Sequence, residues 1–199
     1  MPDDSRSGAA PWRGPLAQAR HAHDRAGLED YIQLATIRAD GTPANRTVVF
    51  RGFLEQPDRL LCSTDARSAK VAEIHLNSAV ELCWYFPRSR EQFRVRGTAT
   101  LIEAGHPDAE MLVVRDTVWL GLAGSTRVQF AWPESGADRA DPTQFDIPAP
   151  AKASPPAVFC LIVTEPEQVD HLQLRPFPHE RHVYMRSGDG TWSTTAVNP

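Results

Sequence analysis

Four side chains between residues 46 and 70 have the chemistry to hold a phosphate group: Arg46, Thr64, Ser68 and Lys70. A phosphate dianion binds fixed cations and hydrogen-bond donors, and a helix start adds free backbone N–H groups and the positive end of the dipole. Ser68 and Lys70 open a predicted helix, SAKVAEIHLN, in which Ser68 is the expected N-terminal cap. The residues indicate a phosphate site, provided that the two hairpins carrying them are neighbours.

The elements that must position these side chains are mostly strands. The run YIQLATIRA leads into Asp40-Gly41, a pair typical of a tight hairpin, and NRTVVFRG follows the turn. Further strand-like runs are RLLCST, AVELCWYF, EQFRVRGTATLIE, AVFCLIVTE, VDHLQL, RHVYMR and TWSTTAV, and helices are predicted over LAQARHAHDRAGLEDY, SAKVAEIHLN and PDAEMLVVRDTVWLGL. This order predicts a mainly β fold, an antiparallel barrel with helices at its flanks.

The chain of 199 residues fits a single domain. Residues 1–15 are rich in Pro, Gly, Ser and Asp, which predicts a mobile N-terminal arm, and residues 16–199 are predicted to form the domain. The stretch from Ala131 to Ala157 is rich in proline and has little apolar periodicity. It is predicted to be a long surface loop and not a linker, because too few residues follow it to form a second domain.

Composition excludes several classes of function. The formal net charge of −4 argues against nucleic acid as a partner, because bulk phosphate attraction needs a basic surface. The apolar runs are too short for a membrane span, and the first residues do not resemble a secretory signal, so a cytoplasmic protein is expected. The cysteines, Cys62, Cys83 and Cys160, show no CxxC spacing and are interpreted as reduced core thiols. No metal site is predicted.

The order of motifs resembles a known family. Arg-x-Val-Val-x-Arg-Gly over 46–52, Ser63-Thr64, Ser68-x-Lys70 and Gln92-hydrophobic-Arg-hydrophobic-x-Gly97 are similar to the FMN-binding core of the pyridoxamine 5'-phosphate oxidase superfamily. RVQFAWP and the tail PHERHVY resemble its oxidase-related, plant and cyanobacterial branch. The resemblance implies a homodimeric split β-barrel that binds FMN at the subunit interface. The residues it assigns to the cofactor are Arg46, Thr47, Val48, Val49, Arg51, Ser63, Thr64, Ser68, Lys70, Gln92 and Arg181.

The resemblance also implies a role for each of these side chains. Arg46 and Lys70 would meet the FMN phosphate with Thr64 and Ser68, and residues 47–49 would line the flavin. Gln92 would donate to the ring, and Arg181 would approach from the partner subunit. Arg46 and Arg51 point to opposite faces of a regular strand, since their spacing is odd. A bulge or strand end near Gly52 is therefore expected to bring both guanidinium groups to one pocket.

The sequence departs from the oxidases where they hold their substrate. Phe177 replaces the arginine of an Arg-x-His pair, although His179 remains, and Arg51 replaces a lysine that touches flavin and substrate. Loss of a bidentate arginine on a phosphate costs a few kcal/mol of binding, so pyridoxamine 5'-phosphate is not expected to be the main substrate. A re-specified pocket is predicted instead, with possible lining from Trp119, Arg127, Gln129, Trp132 and His179.

The predicted function is that of an FMN-dependent oxidoreductase, in which a small molecule transfers a hydride to the flavin. The chain contains no GxGxxG, GxxxxGK[ST], HExxH or GxSxG motif. No motif therefore supports a dinucleotide-binding fold, a P-loop protein, a zincin or a serine hydrolase. Two alternatives stay open. One is a flavin-binding or flavin-sensing module without catalysis, and the other is the same barrel loaded with haem or a deazaflavin. A haem would need an axial ligand from His75, His171 or His179.

Overall fold

The structure is a computed structural model and describes residues 9–24, 30–54 and 58–199, without the side chains of 22–24. The strands in this part of the chain are β1 Tyr31–Ile37, β2 Pro43–Leu54, β3 Arg59–Asp65, β4 Ala79–Phe86, β5 Glu91–Ile102, β6 Phe159–Gln173, β7 Glu180–Arg186 and β8 Trp192–Val197. The helices are α1 Arg13–Asp24, α2 Ala69–Leu76, α3 Ala109–Gly121 and the single turn α4 Gly124–Arg127. Two 3-10 turns, Val128–Ala131 and Pro142–Phe145, follow α4.

The strands form one antiparallel sheet that closes on itself. Their order is β3-β2-β1-β4-β5-β6-β7-β8, and an additional pairing of β3 with β6 closes a barrel from the first six strands. β7 and β8 continue the sheet beyond the barrel. The predicted mainly β fold, an antiparallel barrel with flanking helices, is confirmed.

One long strand replaces two predicted ones. AVFCLIVTE and VDHLQL were expected to be separate, but both lie in the 15-residue strand β6. Its first half pairs with β3 and its second half with β7, while β5 follows it along both halves. The register of β5 and β6 shifts between Arg96 and Gly97, and the backbone of β6 approaches Gly97 closely there. Pro166 and Glu165 read like a strand end in the sequence, whereas the structure uses them at this bulge.

The main core fills the barrel with alternate residues of the strands. Ile32 and Leu34 of β1, Val48 and Phe50 of β2 and their counterparts on the other strands are buried, while intervening residues point outward. A second apolar cluster lies under α3 and includes Trp119, Phe159 and Leu161. The Asp108 side chain caps α3 by accepting hydrogen bonds from the backbone N–H groups of Glu110 and Met111.

The N-terminal arm predicted over residues 1–15 does not extend that far. Ala10 and Trp12 are buried in the barrel core, and α1 already begins at Arg13. Asp58 fixes this approach, because its carboxylate accepts hydrogen bonds from the Ala10 backbone N–H at 2.6 Å and from Arg13 at 2.7 Å. The large apolar surface of the Trp12 ring explains the difference from the composition-based expectation. Residues 1–8 lie outside the described residues, and the single domain over 16–199 stays a prediction.

The interior thiols are chemically quiet. Cys62 and Cys160 are buried and free, and burial raises the pKa of each to about 12. Such thiols stay protonated near neutral pH, which agrees with their interpretation as reduced core residues. In the part of the chain that the structure describes, no helix is both long and apolar enough to cross a membrane.

Candidate functional site

A cleft of about 1130 Å³ opens between the outer surfaces of β2 and β3 and the segment that follows α3. One wall comes from β2, β3 and the start of α2, and the opposite wall comes from residues 126–145. Residues 132–145 of this second wall are called the flap. Most residues between 134 and 144 are exposed to solvent. The described residues that line the cleft are Asp30, Tyr31, Thr47, Val48, Val49, Phe50, Arg51, Ser63, Thr64, Asp65, Lys70, Thr126, Gln129, Phe130, Trp132, residues 133–140 and Phe145.

A cradle of donors lies where β3 leads into α2. The Lys70 ammonium donates to the Ser68 hydroxyl at 2.9 Å and to the Thr64 hydroxyl at 3.1 Å, and the two hydroxyl oxygens are 3.3 Å apart. The Ser68 hydroxyl also donates to the Asp65 carbonyl oxygen at 2.7 Å. The structure thus brings together Thr64, Ser68 and Lys70 as the sequence predicts.

Ser68 occupies the N-cap position of α2, but its side chain makes no capping hydrogen bond, contrary to the expectation. Instead, the Ser68 hydroxyl accepts a hydrogen bond from the Lys70 ammonium and donates one to the Asp65 carbonyl oxygen. The first backbone N–H groups of α2 are therefore not capped by Ser68, and they stand at the positive end of the helix dipole. Burial and then the charge of Arg46 lower the pKa of Lys70, whereas the charges of Asp65 and Glu73 raise it. An anion bound beside the ammonium would favour its charged form.

Arg46 is the predicted phosphate ligand that is not among the described residues lining the cleft, although its charge reaches Lys70. It lies on the same side of β2 as the core residues Val48 and Phe50. Its guanidinium donates to the Glu73 carboxylate of α2 at 2.6 Å and to the Thr36 hydroxyl. Although burial opposes the shift, hydrogen bonds from Thr36 and Arg46 lower the pKa of Glu73. In this structure Arg46 fixes α2 to the barrel end.

Arg51 lies on the opposite side of β2 and does line the cleft. The predicted bulge is present, since the register of β2 and β3 shifts between Phe50 and Gly52. It follows Arg46 in the chain, so it leaves Arg46 on the side of β2 that carries Val48 and Phe50. That both guanidinium groups reach one pocket stays a prediction. The Arg51 Nε donates to the Ser63 hydroxyl at 2.8 Å, and Thr47 and Val49 share its wall.

Gln92 and Arg181 form a second group away from the cleft. Gln92 of β5 pairs with Leu172 of β6, which pairs with Arg181 of β7, so the three residues form one row across the sheet. Ser63 belongs to another row, which ends at Ile102, at the other end of the 12-residue strand β5. At about 3.3 Å per residue, the two rows are roughly 30 Å apart along the strand. One chain therefore carries two separate sets of predicted cofactor residues.

An acidic residue orients Arg181. The Asp170 carboxylate accepts hydrogen bonds from the Arg181 Nε at 2.9 Å and from a terminal nitrogen at 2.6 Å. Asp170 is almost fully buried, whereas a third of the Arg181 side chain stays exposed. The bidentate pair holds the planar guanidinium in one orientation at the sheet surface.

Of the predicted substrate residues, some line the cleft and others lie away from it. Gln129 and Trp132 line the cleft, as expected. Trp119 is fully buried in the second core, where its indole N–H donates to the Ala151 carbonyl oxygen. The Arg127 guanidinium lies 6.0 Å from the Trp119 ring and donates to the Leu122 carbonyl oxygen, so it serves packing. His179 is exposed beside Arg181 and is not among the described residues of the cleft.

Sequence reasoning missed two charged residues at the cradle. Asp65 lines the cleft, and its carboxylate is held by Arg67, which donates to it from the backbone N–H at 2.8 Å, from Nε at 3.0 Å and from a terminal nitrogen at 2.6 Å. The remaining terminal nitrogen of Arg67 donates to the Trp132 carbonyl oxygen of the flap at 3.1 Å. The Asp-x-Arg spacing is a weak local signal for the first contact, and no sequence pattern indicates the second.

Comparison with known proteins shows which family the chain resembles in sequence. The family model described as pyridoxamine 5'-phosphate oxidase, FMN-binding domain, matches residues 9–103. The chain is 36% identical to pyridoxine/pyridoxamine 5'-phosphate oxidase 2 of Arabidopsis thaliana, with 96% of this chain and 98% of the relative covered. It is 28% identical to pyridoxine/pyridoxamine 5'-phosphate oxidase of Novosphingobium aromaticivorans, with 84% and 82% covered.

A solved structure agrees over nearly the whole chain. The crystal structure of a pyridoxamine 5'-phosphate oxidase-related, FMN-binding protein from Nostoc punctiforme superposes with a TM-score of 0.93 at 42% identity, and covers 96% of this chain and 100% of that one. Sequence identity and fold thus agree over nearly the whole chain. The chain belongs to the pyridoxamine 5'-phosphate oxidase family.

Proposed function

We propose that the protein binds FMN in the cleft and uses it as the cofactor of an oxidoreductase. The observation that carries the proposal is the cradle, in which one ammonium and two hydroxyls lie within 3.3 Å of one another at the start of α2. Lys70, Thr64 and Ser68 would hold the phosphate, and the uncapped N–H groups of α2 would complete its ligands. Support comes from the family and from the FMN-binding protein of similar structure.

The wall formed by β2 would hold the flavin ring. Thr47 and Val49 offer it an apolar surface and backbone groups, and Arg51 brings a cation that Ser63 orients. FMN, when bound, supplies the redox chemistry by accepting two electrons and a proton from a substrate, and negative charge then builds on the ring. A fixed guanidinium beside that charge stabilises it, while the flap limits the access of water to the ring.

We further propose that the active form is a homodimer whose two sites each take residues from both chains. Gln92 and Arg181 lie roughly 30 Å along the strand from the row of Ser63, so one chain does not bring them to its own cleft. A two-fold dimer would place the Arg181 row of one chain opposite the cleft of the other. Asp170 would then hold Arg181 ready for the partner's flavin.

A mixed dimer tests this arrangement. Lys70→Ala and Arg181→Ala each weaken both sites of their own homodimer. A heterodimer of the two variants, co-expressed with different affinity tags, has one site with neither change and one site with both. We therefore expect one tight FMN site per heterodimer, measured by fluorescence titration against the two variant homodimers.

The same experiment separates the alternatives. If Lys70 and Arg181 serve one chain's own site, both sites of the heterodimer are defective and no tight site appears. A chain that is monomeric at the titration concentration also contradicts the shared site. The heterodimer of wild type with Lys70→Ala is the matched control, because it keeps one tight site under either arrangement.

We propose a small-molecule substrate other than pyridoxamine 5'-phosphate for this cofactor. The relatives are named for oxidation of pyridoxine and pyridoxamine 5'-phosphates. Here Phe177 stands in place of a substrate-binding arginine and is fully exposed, and the flap fills the region beside the flavin wall. Glu134, Asp138 and Arg139 line the flap side of the cleft. With two acids against one base, this wall disfavours a second phosphate and suits a neutral or cationic molecule.

Absorption spectroscopy and anaerobic reduction test the function as a whole. The purified protein is expected to show a flavin spectrum, to release FMN on heating, and to lose its 450 nm absorption when a substrate is added without oxygen. Amines, reduced nicotinamides and pyridoxamine 5'-phosphate are the first molecules to add, with the last expected to react more slowly than the best of the others. A colourless protein that fails to take up FMN would contradict the phosphate site. Flavin that binds but is reduced by none of them favours a non-catalytic flavin module.

A further inference from the structure

Arg67 connects the two walls of the cleft, although it is not among the described residues that line it. Toward the cradle it binds Asp65 through both carboxylate oxygens. Toward the flap it donates to the Trp132 carbonyl oxygen at 3.1 Å. A planar guanidinium can make these contacts at once, because its donors point in fixed and different directions.

The Asp65 contact controls charge at the cradle. Asp65 lines the cleft, and the charge of its carboxylate raises the pKa of Lys70, so the carboxylate lies close to the proposed phosphate position. An uncompensated carboxylate there would repel a phosphate dianion. Arg67 cancels this charge with a bidentate pair that is more than two-thirds buried on both sides.

The Trp132 contact holds a flap that is already ordered internally. The Trp132 indole N–H donates to the Phe145 carbonyl oxygen at 3.2 Å, and the two rings pack edge-on with centroids 5.7 Å apart. The Arg139 guanidinium lies 4.6 Å from the Phe145 ring. These contacts connect the two ends of the flap, and Arg67 attaches the flap to the turn that carries the cradle.

We propose that Arg67 is a positioning residue that couples cofactor binding to closure of the flap, by neutralising Asp65 beside the FMN phosphate and anchoring Trp132 across the cleft. The inference rests on the proposed function and deepens it. Through Arg67, the flap is held directly to the phosphate end of the site. FMN that holds the cradle in place thereby also holds the wall against which a substrate would bind.

Two measurements on a set of variants test the coupling. Arg67→Ala is expected to weaken FMN binding by about tenfold or more, because Asp65 becomes an unpaired negative charge. Adding Asp65→Asn removes that charge, so the double variant should return to within about threefold of wild type. Cleavage at Arg139 by an arginine-specific protease reports on the flap. It is expected to be faster in Arg67→Ala and to stay fast in the double variant, since neither holds Trp132.

Arg67→Lys and Lys152→Ala complete the set. Lysine keeps the charge beside Asp65 but cannot reproduce the fork, so FMN affinity should stay near wild type while cleavage at Arg139 accelerates. Lys152 is exposed in the loop before β6 and is not among the described residues that line the cleft, so its replacement by alanine removes one positive charge without changing either readout. Since the expected pattern differs between the two readouts, general unfolding cannot mimic it.

The outcomes are distinct. A wild-type protein that does not bind FMN overturns the proposed function and this inference with it. Wild-type binding together with unchanged affinity in Arg67→Ala overturns the inference alone. A double variant as weak as Arg67→Ala shows that the loss does not pass through the Asp65 charge. Cleavage at Arg139 that stays at the wild-type rate shows that Arg67 does not hold the flap. Either of the last two results also overturns the coupling.

Discussion

Replacement of Lys70 by alanine is expected to weaken FMN binding by between about 10- and 100-fold, while riboflavin binding changes by less than about threefold. A hydrogen bond to a charged group contributes about 1.5–3 kcal/mol, and each 1.4 kcal/mol is tenfold in affinity. The Lys70 ammonium is already partly buried and held by Thr64 and Ser68, so it needs little further ordering to bind a phosphate. Riboflavin lacks the phosphate, so its affinity should not depend on the Lys70 ammonium.

Fluorescence titration of each variant with both flavins gives the measurement. Lys152→Ala is the matched control, because Lys152 is exposed in the loop before β6 and is not among the described residues that line the cleft. It removes the same charge from the chain and should leave both affinities unchanged. Equal losses for FMN and riboflavin in Lys70→Ala would mean that the cleft itself had been damaged. If Lys70→Ala bound both flavins as tightly as wild type does, the phosphate would not bind at the cradle.

The cradle was predictable because it is local. Thr64, Ser68 and Lys70 lie within one strand-to-helix turn, where short sequence spacing fixes spatial proximity. The barrel was predictable for a similar reason, since alternation and turn residues specify hairpins between neighbouring strands. The join of AVFCLIVTE and VDHLQL into one strand was not, because it depends on the close approach of β5 at the bulge.

Arg46 and Arg51 show where a motif is insufficient. Both belong to the same short run, but strand alternation puts Arg46 on the Val48 and Phe50 side of β2 and Arg51 on the cleft side. The partner that engages Arg46 is Glu73 of α2, which no spacing pattern in the sequence indicates. A carboxylate within reach of a guanidinium competes with any anion for it, and sequence spacing does not reveal that competition.

The separation of Gln92 and Arg181 from the cleft depends on register. The row through Gln92, Leu172 and Arg181 follows from strand pairings that span the chain, and a shift of one residue would send each side chain to the other face. The resemblance could suggest that Arg181 acts across a dimer, but only the register shows that Gln92 shares its row. Long-range contacts, such as that of Arg67 with Trp132, are invisible to the sequence for the same reason.

Gly97→Ala is expected to lower the free energy of unfolding by at least about 3 kcal/mol, and Tm by about 6–12 °C. A Cβ at this position would lie 2.0 Å from the Glu165 carbonyl oxygen and 3.0 Å from the Pro166 Cα. Both are backbone atoms, so no side chain can rotate away. The clash occurs at the register shift of β5 with β6, a pairing that runs the length of β5 and helps to close the barrel. This close approach explains physically why the Gln-to-Gly motif ends in glycine.

Gly121→Ala distinguishes the clash from a general effect of adding a methyl group. Gly121 is the last residue of α3 and has no atom within 4 Å of an added Cβ, so alanine there should leave stability unchanged or raise it by up to about 1 kcal/mol. Thermal and urea unfolding of the cofactor-free variants give the comparison without a contribution from bound flavin. A Gly97→Ala variant as stable as wild type would show that β5 and β6 can separate at the bulge without loss. The glycine would then have to be explained by the site and not by the barrel.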